Sequence, residues 1–181
     1  MNYLRIHPSP AGGIMSQHLA DMKVGEEIEM KGPLGEFEYN GKGEITVYKE
    51  NKTKNKIGLI AGGTGLASMI QIMRNMKDNV NDQTECWLIF INKTEEDIFM
   101  RDELEKYTEP NFHLHLTLSK PPPTGWTGGI GYIDEEMIKA HMPAPGDDTF
   151  ILISGRPGMV FSCCVPTLEN MGYTEDMYFA F

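Results

Sequence analysis

The chain has 181 residues, 40% of them hydrophobic and 23% charged, which suits a folded protein with a core and excludes collagen-like, low-complexity and disulfide-stapled classes. That length allows one large domain or two small ones. Its 16 Lys and Arg against 26 Asp and Glu give a net charge of -10, which argues against a nucleic-acid binder and against adhesion to an anionic membrane surface.

Residues 1–56 hold eight basic and eight acidic side chains, whereas 57–181 hold eight and eighteen. The charge therefore shifts at the polar stretch 49–56, and a domain boundary is expected near residue 56. Before it, short strands are predicted at Glu27–Met30, Glu36–Tyr39 and Ile45–Tyr48, divided by Gly32-Pro33 and Gly41-Lys42-Gly43. They are too few to close a barrel and suggest a partial antiparallel one. Lys49, Lys52, Lys54 and Lys56 read as a solvated linker or a local basic patch.

From residue 57 strands and helices alternate. Ile57–Ala61 is a short apolar strand ending in Gly62-Gly63-Thr64-Gly65, and 66–77 carries Leu66, Met69, Ile70, Met73 and Met76 at helical spacing. Cys86–Ile91 is a second strand. Thr94 with Asp97 predicts a capped helix through about Tyr107. Phe112–Leu118 is a third strand, and Asp134–His141 a short capped helix. Thr149–Ser154 is a fourth strand, leading through Gly155-Arg156-Pro157-Gly158 into a helix from Met159 to about Met171 that Gly172 stops. Met177–Phe181 can be a fifth strand. The implied fold is α/β: a parallel five-stranded sheet with flanking helices and right-handed crossovers, preceded by the partial barrel.

Ligands of open parallel sheets bind at the carboxyl ends of the strands, where both glycine-rich loops fall. Glycine lets backbone N–H groups approach a diphosphate, and the following helix adds a favourable partial charge; the loops read as nucleotide cradles or as tight strand-to-helix turns. Asp97 is either a ribose acceptor that repels a 2′-phosphate or a capping acid. His113 and His115 share a strand face but have no third ligand nearby, so no metal site is assigned. Ser154 lacks a G-x-S-x-G elbow. Cys86, Cys163 and Cys164 are expected to be free thiols in a reducing, cytosol-facing compartment. No apolar run has the ~18 residues that span a bilayer.

Together these segments resemble the NADH–cytochrome-b5 reductase family, within the ferredoxin-reductase-like flavoproteins. The similarity is carried by His7-Pro8, AGGIMSQHL (11–19), GPLGEFEYNGKG (32–43), IGLIAGGTGLASMIQIMR (57–74) and LIFINKTEEDIFMRDELE (88–105). It continues through Phe112 with the Leu116-Thr117-Leu118 strand, 121–126, GRPGM (155–159) and the terminal Phe179-Ala180-Phe181. The resemblance implies a flavin barrel followed by a nicotinamide domain, with hydride passing from NADH to FAD and electrons then to a haem protein. It implies that Gly12, Gly13, Met15 and Ser16 hold the FAD diphosphate region, with His7 and Ala67 also on the flavin side. It places NADH on Gly63, Thr64, Gly65, Met69, Gly155, Pro157 and Met159. It gives Asp97 the discrimination against NADPH, sets Phe112 near the adenine, and puts Thr64, Ser154 and Phe181 around the hydride transfer.

The sequence also departs from the family pattern. It is expected to start inside the flavin barrel, without the R-x-Y-T/S motif, leaving the FAD site incomplete. Ile14 stands in place of a lysine, Ala67-Ser68 in place of Thr-Pro, Ser154 in place of a cysteine and Arg156 in place of a proline. Two further readings follow: a catalytically impaired relative serving as a structural or interaction subunit of a larger assembly, and an NADH sensor without flavin. An acidic acceptor would be approached slowly by so acidic a chain.

Overall fold

Near-continuous apolar runs separated by helices call for a parallel sheet buried on both faces. A computed structural model describes residues 13–32 and 34–181, in two compact units that part between Leu34 and Gly35. In the first, Ile14–Asp21 forms helix α1, its Gln17 N–H donating to the Gly13 carbonyl over 3.0 Å. The sequence reading did not anticipate this helix. Glu27–Met30, expected as a strand, has no regular structure and pairs with no strand among the described residues.

The second unit opens with β1 (Phe37–Gly41), β2 (Glu44–Val47) and β3 (Glu50–Thr53), an antiparallel sheet in that order. The polar stretch expected as a linker thus contains β3, an edge strand with almost no buried side chain. The parallel sheet follows: β4 (Lys56–Gly62), β5 (Glu85–Asn92), β6 (Phe112–Leu118), β7 (Gly129–Ile130), β8 (Thr149–Ser154) and β9 (Tyr178–Ala180), in spatial order β7-β6-β5-β4-β8-β9. It has six strands where five were expected. The additional one, β7, is only two residues long and has no periodicity to read.

Helix α2 (Leu66–Asp78) buries Leu66, Met69, Ile70, Met73 and Met76 against one face, with Leu59, Leu88, Phe90 and Ile45 and Val47 of the small sheet. The helix expected over 94–107 is broken. A single 3₁₀ turn at Glu95–Asp97 ends at Ile98, Met100 adopts the left-handed conformation, and α3 is only Arg101–Leu104. The break lets Ile98 bury and sets Phe99 edge-on against Phe90, centroids 5.6 Å apart. On the other face lie α4 (Glu135–His141), whose Asp134 cap accepts from Met137 N–H at 2.8 Å, and a composite C-terminal helix. That helix comprises α5 (Pro157–Met159), one π turn (Val160–Cys164) and α6 (Val165–Asn170). The π turn immediately precedes the segment containing Pro166, which has no N–H to continue the ladder. Gly172, φ +93, ends the element as expected.

Two polar ties fasten the small sheet. Tyr39 Oη donates to the Asp82 carboxylate at 2.7 Å and accepts from the Thr84 hydroxyl at 3.0 Å. Burial pushes the Asp82 carboxyl up, but bonds from Thr84, Tyr39 and the Lys42 N–H outweigh it and leave the group below the usual carboxylate value. On the opposite side, buried Lys54 donates to the Asp147 carbonyl at 2.7 Å, and Lys56 pairs with Asp148 at 3.1 Å.

Candidate functional site

The chain runs outward from β4 through β5, β6 and β7, then returns to place β8 on the other side of β4. The loops after β4 and β8 therefore leave toward opposite faces, one into α2 and the other into α5, and a crevice opens between them. Both glycine segments lie there. Gly63–Gly65 is one 3₁₀ turn; Gly63 has φ +52 and open space where a Cβ would be. A Cβ on Gly65 would lie 2.5 Å from the Ser154 carbonyl carbon, and one on Gly62 or Gly155 would meet the Met159 side chain at 2.6 Å. The two loops are thus in backbone contact, with Met159 as the spacer between them. Amide N–H groups at such a helix start have no partner within the helix, so the arrangement offers donors to an anion.

The sequence-predicted residues distribute as follows. Thr64, Gly63, Gly65, Ser154, Gly155, Pro157 and Met159 come together at the crevice. Ala67 is exposed on the first turn of α2, and Ser68 donates to the Gly65 carbonyl at 2.9 Å. Phe181 N–H donates to the Ile153 carbonyl at 2.9 Å, holding the last residue beside the end of β8. Its ring lies edge-on to Phe179 (5.1 Å) and Phe37 (6.0 Å).

Two residues are not with this group. Met69 is fully buried in the core under α2, so it supports the turn from below and presents no surface to a ligand. Phe112 begins β6 opposite Cys86, at the amino end of the sheet. It is separated from the crevice edge by the strand's length, about 20 Å, and packs on Tyr107 with centroids 4.9 Å apart. Gly13, Met15 and Ser16 stand at the start of α1 in the first unit; His7 and Gly12 fall outside the described residues.

Asp97 resolves toward the cap: its Oδ2 accepts from the Thr94 N–H at 3.0 Å and the Thr94 hydroxyl at 2.8 Å. Its side chain remains exposed. Beside it, beyond β5 and β6, Thr94, Glu95, Glu96, Lys120 and Pro122 line a groove of about 420 Å³, within the size range of small-ligand sites. The sequence reading did not single out Lys120, nor Asn92, which closes β5 and whose buried Nδ2 has no partner among the described residues. An amide ending an apolar strand at the ligand edge was the available signal.

The histidines make no metal cluster among the described residues. His113 stacks on Trp87 at 4.8 Å and lies 3.8 Å from Glu85, whereas His115 stacks on His141 at 3.6 Å with planes 12° apart. All three cysteines are free; burial pushes the Cys164 thiol up to about 12. Among the described residues no helix is long and apolar enough to cross a membrane.

The oxidoreductase NAD-binding domain family matches residues 59–164 and the oxidoreductase FAD-binding domain family matches 3–39. NADH-cytochrome b5 reductase 2 of Xenopus laevis and NADH-cytochrome b5 reductase 1 of Homo sapiens are each 41% identical over 99% of this chain. The chain spans 64% and 62% of their lengths. The Mus musculus reductase 2 is 40% identical over 99% of this chain and 68% of its own length. Among solved structures, the cytochrome b5 reductase domain of Ulva prolifera nitrate reductase superposes with a TM-score of 0.89 at 36% identity, covering 97% of this chain and 69% of that one. A Neisseria gonorrhoeae ferredoxin NADP+ reductase, 19% identical with a TM-score of 0.64 over 93% of this chain and 69% of its own, shares the fold. With its paired glycine loops at the switch point and this similarity along nearly its whole length, the chain belongs to the NADH–cytochrome b5 reductase family of FAD- and NAD-binding oxidoreductases.

Proposed function

We propose that this chain works as an NADH-dependent flavoprotein oxidoreductase that passes electrons to a haem protein. The observation carrying the reading is the backbone contact between the Gly65 turn and the Ser154-Gly155 loop at the switch point. A side chain at Gly62, Gly65 or Gly155 would fill it, and Gly63 takes a left-handed conformation with open space above it. A pyridine dinucleotide fits that cradle: its diphosphate would lie on the amides of Gly63, Thr64 and Gly65, with Gly155, Pro157 and Met159 closing the other side.

Thr64, Ser154 and Phe181 would surround the nicotinamide, orienting it and keeping water away. Gly13, Met15 and Ser16, with His7, Gly12 and Ala67, would serve the flavin, which when bound takes the hydride and releases electrons one at a time. Asp97, exposed and acidic, would disfavour a 2′-phosphate while bracing the Thr94 turn.

The test is to purify the protein with added FAD, record its visible spectrum, and follow NADH and NADPH oxidation with ferricyanide. A yellow protein that oxidises NADH faster than NADPH is expected. A colourless protein without NADH oxidation overturns the proposal, and in that case retained NADH binding by calorimetry would favour a coenzyme-binding subunit.

A further inference from the structure

We infer that Asn92 is a further coenzyme-positioning residue, its side-chain amide donating to an oxygen of the diphosphate–ribose portion of the bound dinucleotide; this rests on the proposed NADH reading. Asn92 is 6% exposed, and its Nδ2 is buried without a hydrogen-bond partner among the described residues. No hydrogen bond to its Oδ1 occurs among the described residues either, so the inference holds for either orientation of the amide. Burying a polar group in this way costs free energy that folding does not recover. An apolar residue of similar size would serve the core better, so the amide stands out as a group awaiting a ligand.

Its position identifies that ligand. The β4–β5 register pairs Gly62 with Ile91, which sets Asn92 beside the open, left-handed Gly63. Leu88, Phe90 and Leu118 all face the α2 side of the sheet, and Asn92 pairs with Leu118 across β5 and β6. Strand alternation therefore brings the Asn92 side chain up on that same side, beside the turn that opens α2. Its main chain is already committed: the carbonyl accepts from Ser119 N–H at 3.0 Å. Only the amide is free to bind.

The other buried groups lacking a partner differ. Thr117 pairs with Ile91, whose side chain packs in the core of the opposite face. The second oxygen of the Glu109 carboxylate already bonds Lys77.

The experiment compares wild type, Asn92→Leu and Asn92→Ala by calorimetry with NADH and with ADP, alongside thermal melting without ligand. Loss of one hydrogen bond to a charged or polyhydroxyl ligand should weaken NADH binding about ten- to hundredfold in both variants. The melting temperature of Asn92→Leu should hold or rise, because a buried unpaired amide has been removed. A residue with only a structural role would show the reverse: a lower melting temperature with unchanged affinity. Equal weakening toward ADP assigns the contact to the adenosine diphosphate half, and weakening toward NADH alone assigns it to the nicotinamide ribose. If wild type binds NADH and both variants bind it equally well, this inference is overturned and the proposed function stands. If wild type itself does not bind NADH, both fall.

Discussion

At the scale of single residues, the crevice depends on where side chains are missing. Gly65 cannot carry a Cβ without driving it into the Ser154 main chain, and main chain cannot turn aside as a flexible side chain can. Gly65→Ala should therefore cost about 1–3 kcal/mol through overpacking and force the two loops apart. Its NADH affinity, measured by titration, should fall at least tenfold, because an ångström-scale displacement is enough to spoil a positioned ligand. Gly63→Ala is the informative companion: with open space at its Cβ, it should suffer only the backbone penalty of a left-handed residue, about 1–2 kcal/mol. If Gly65→Ala binds NADH as tightly as the wild type, the loop contact is not what shapes the cradle.

At the scale of elements, legibility followed burial. Cys86–Ile91 and Thr149–Ser154 were readable because strands covered on both faces must be apolar throughout, and α2 because its buried stripe repeats at helical spacing. β3 was not readable: Glu50-Asn51-Lys52-Thr53 lies on an edge, where the backbone ladder holds polar residues that look like linker. The break after Asp97 was hidden for a different reason, since burial of Ile98 and the Phe99–Phe90 contact are tertiary gains that override a good local helix signal. The loop positions of the site were legible from glycine alone. Phe112 and Met69 were misplaced because a motif records which residues occur together, not which end or face of an element they occupy.

The pairing of α4 with β6 has a pH signature. Burial, and then the charge of His141, hold His115 below its ordinary value of 6.5. The native state therefore binds fewer protons than the unfolded chain as pH falls below 6.5, and stability declines with acidification. Wild type should lose more melting temperature between pH 7 and 5.5 than His115→Phe, which keeps an aromatic ring against His141 without titrating. Identical losses in the two proteins would show that His115 is not responsible.

For the whole molecule, the net charge of -10 governs encounters with other proteins. Of the lysines over 49–56, Lys56 is paired with the Asp148 carboxylate, whereas Lys54 and Lys52 donate to the neutral carbonyls of Asp147 and Asp176 (3.4 Å for the latter) and keep their charge, a small offset against that total. Like charges repel at long range, and salt screens that repulsion. With an acidic haem protein as acceptor, the bimolecular electron-transfer rate should rise with ionic strength, whereas a basic haem protein should show the opposite trend. A rate to the acidic acceptor that falls with added salt would point to a local basic docking patch that outweighs the total charge.

The lysine ties have one more consequence. Lys54 and Lys56 clasp the 147–148 loop just where β4 and β8 begin, so these neighbouring strands are pinned together at their starting ends. Their far ends are held by the same parallel ladder, which reaches Ala61 and Ser154, and the glycine turns beyond it touch main chain to main chain. The two turns that would receive a dinucleotide therefore rise from a strand pair laddered along its length and tied again at its heel, a firm footing from which their spacing is set.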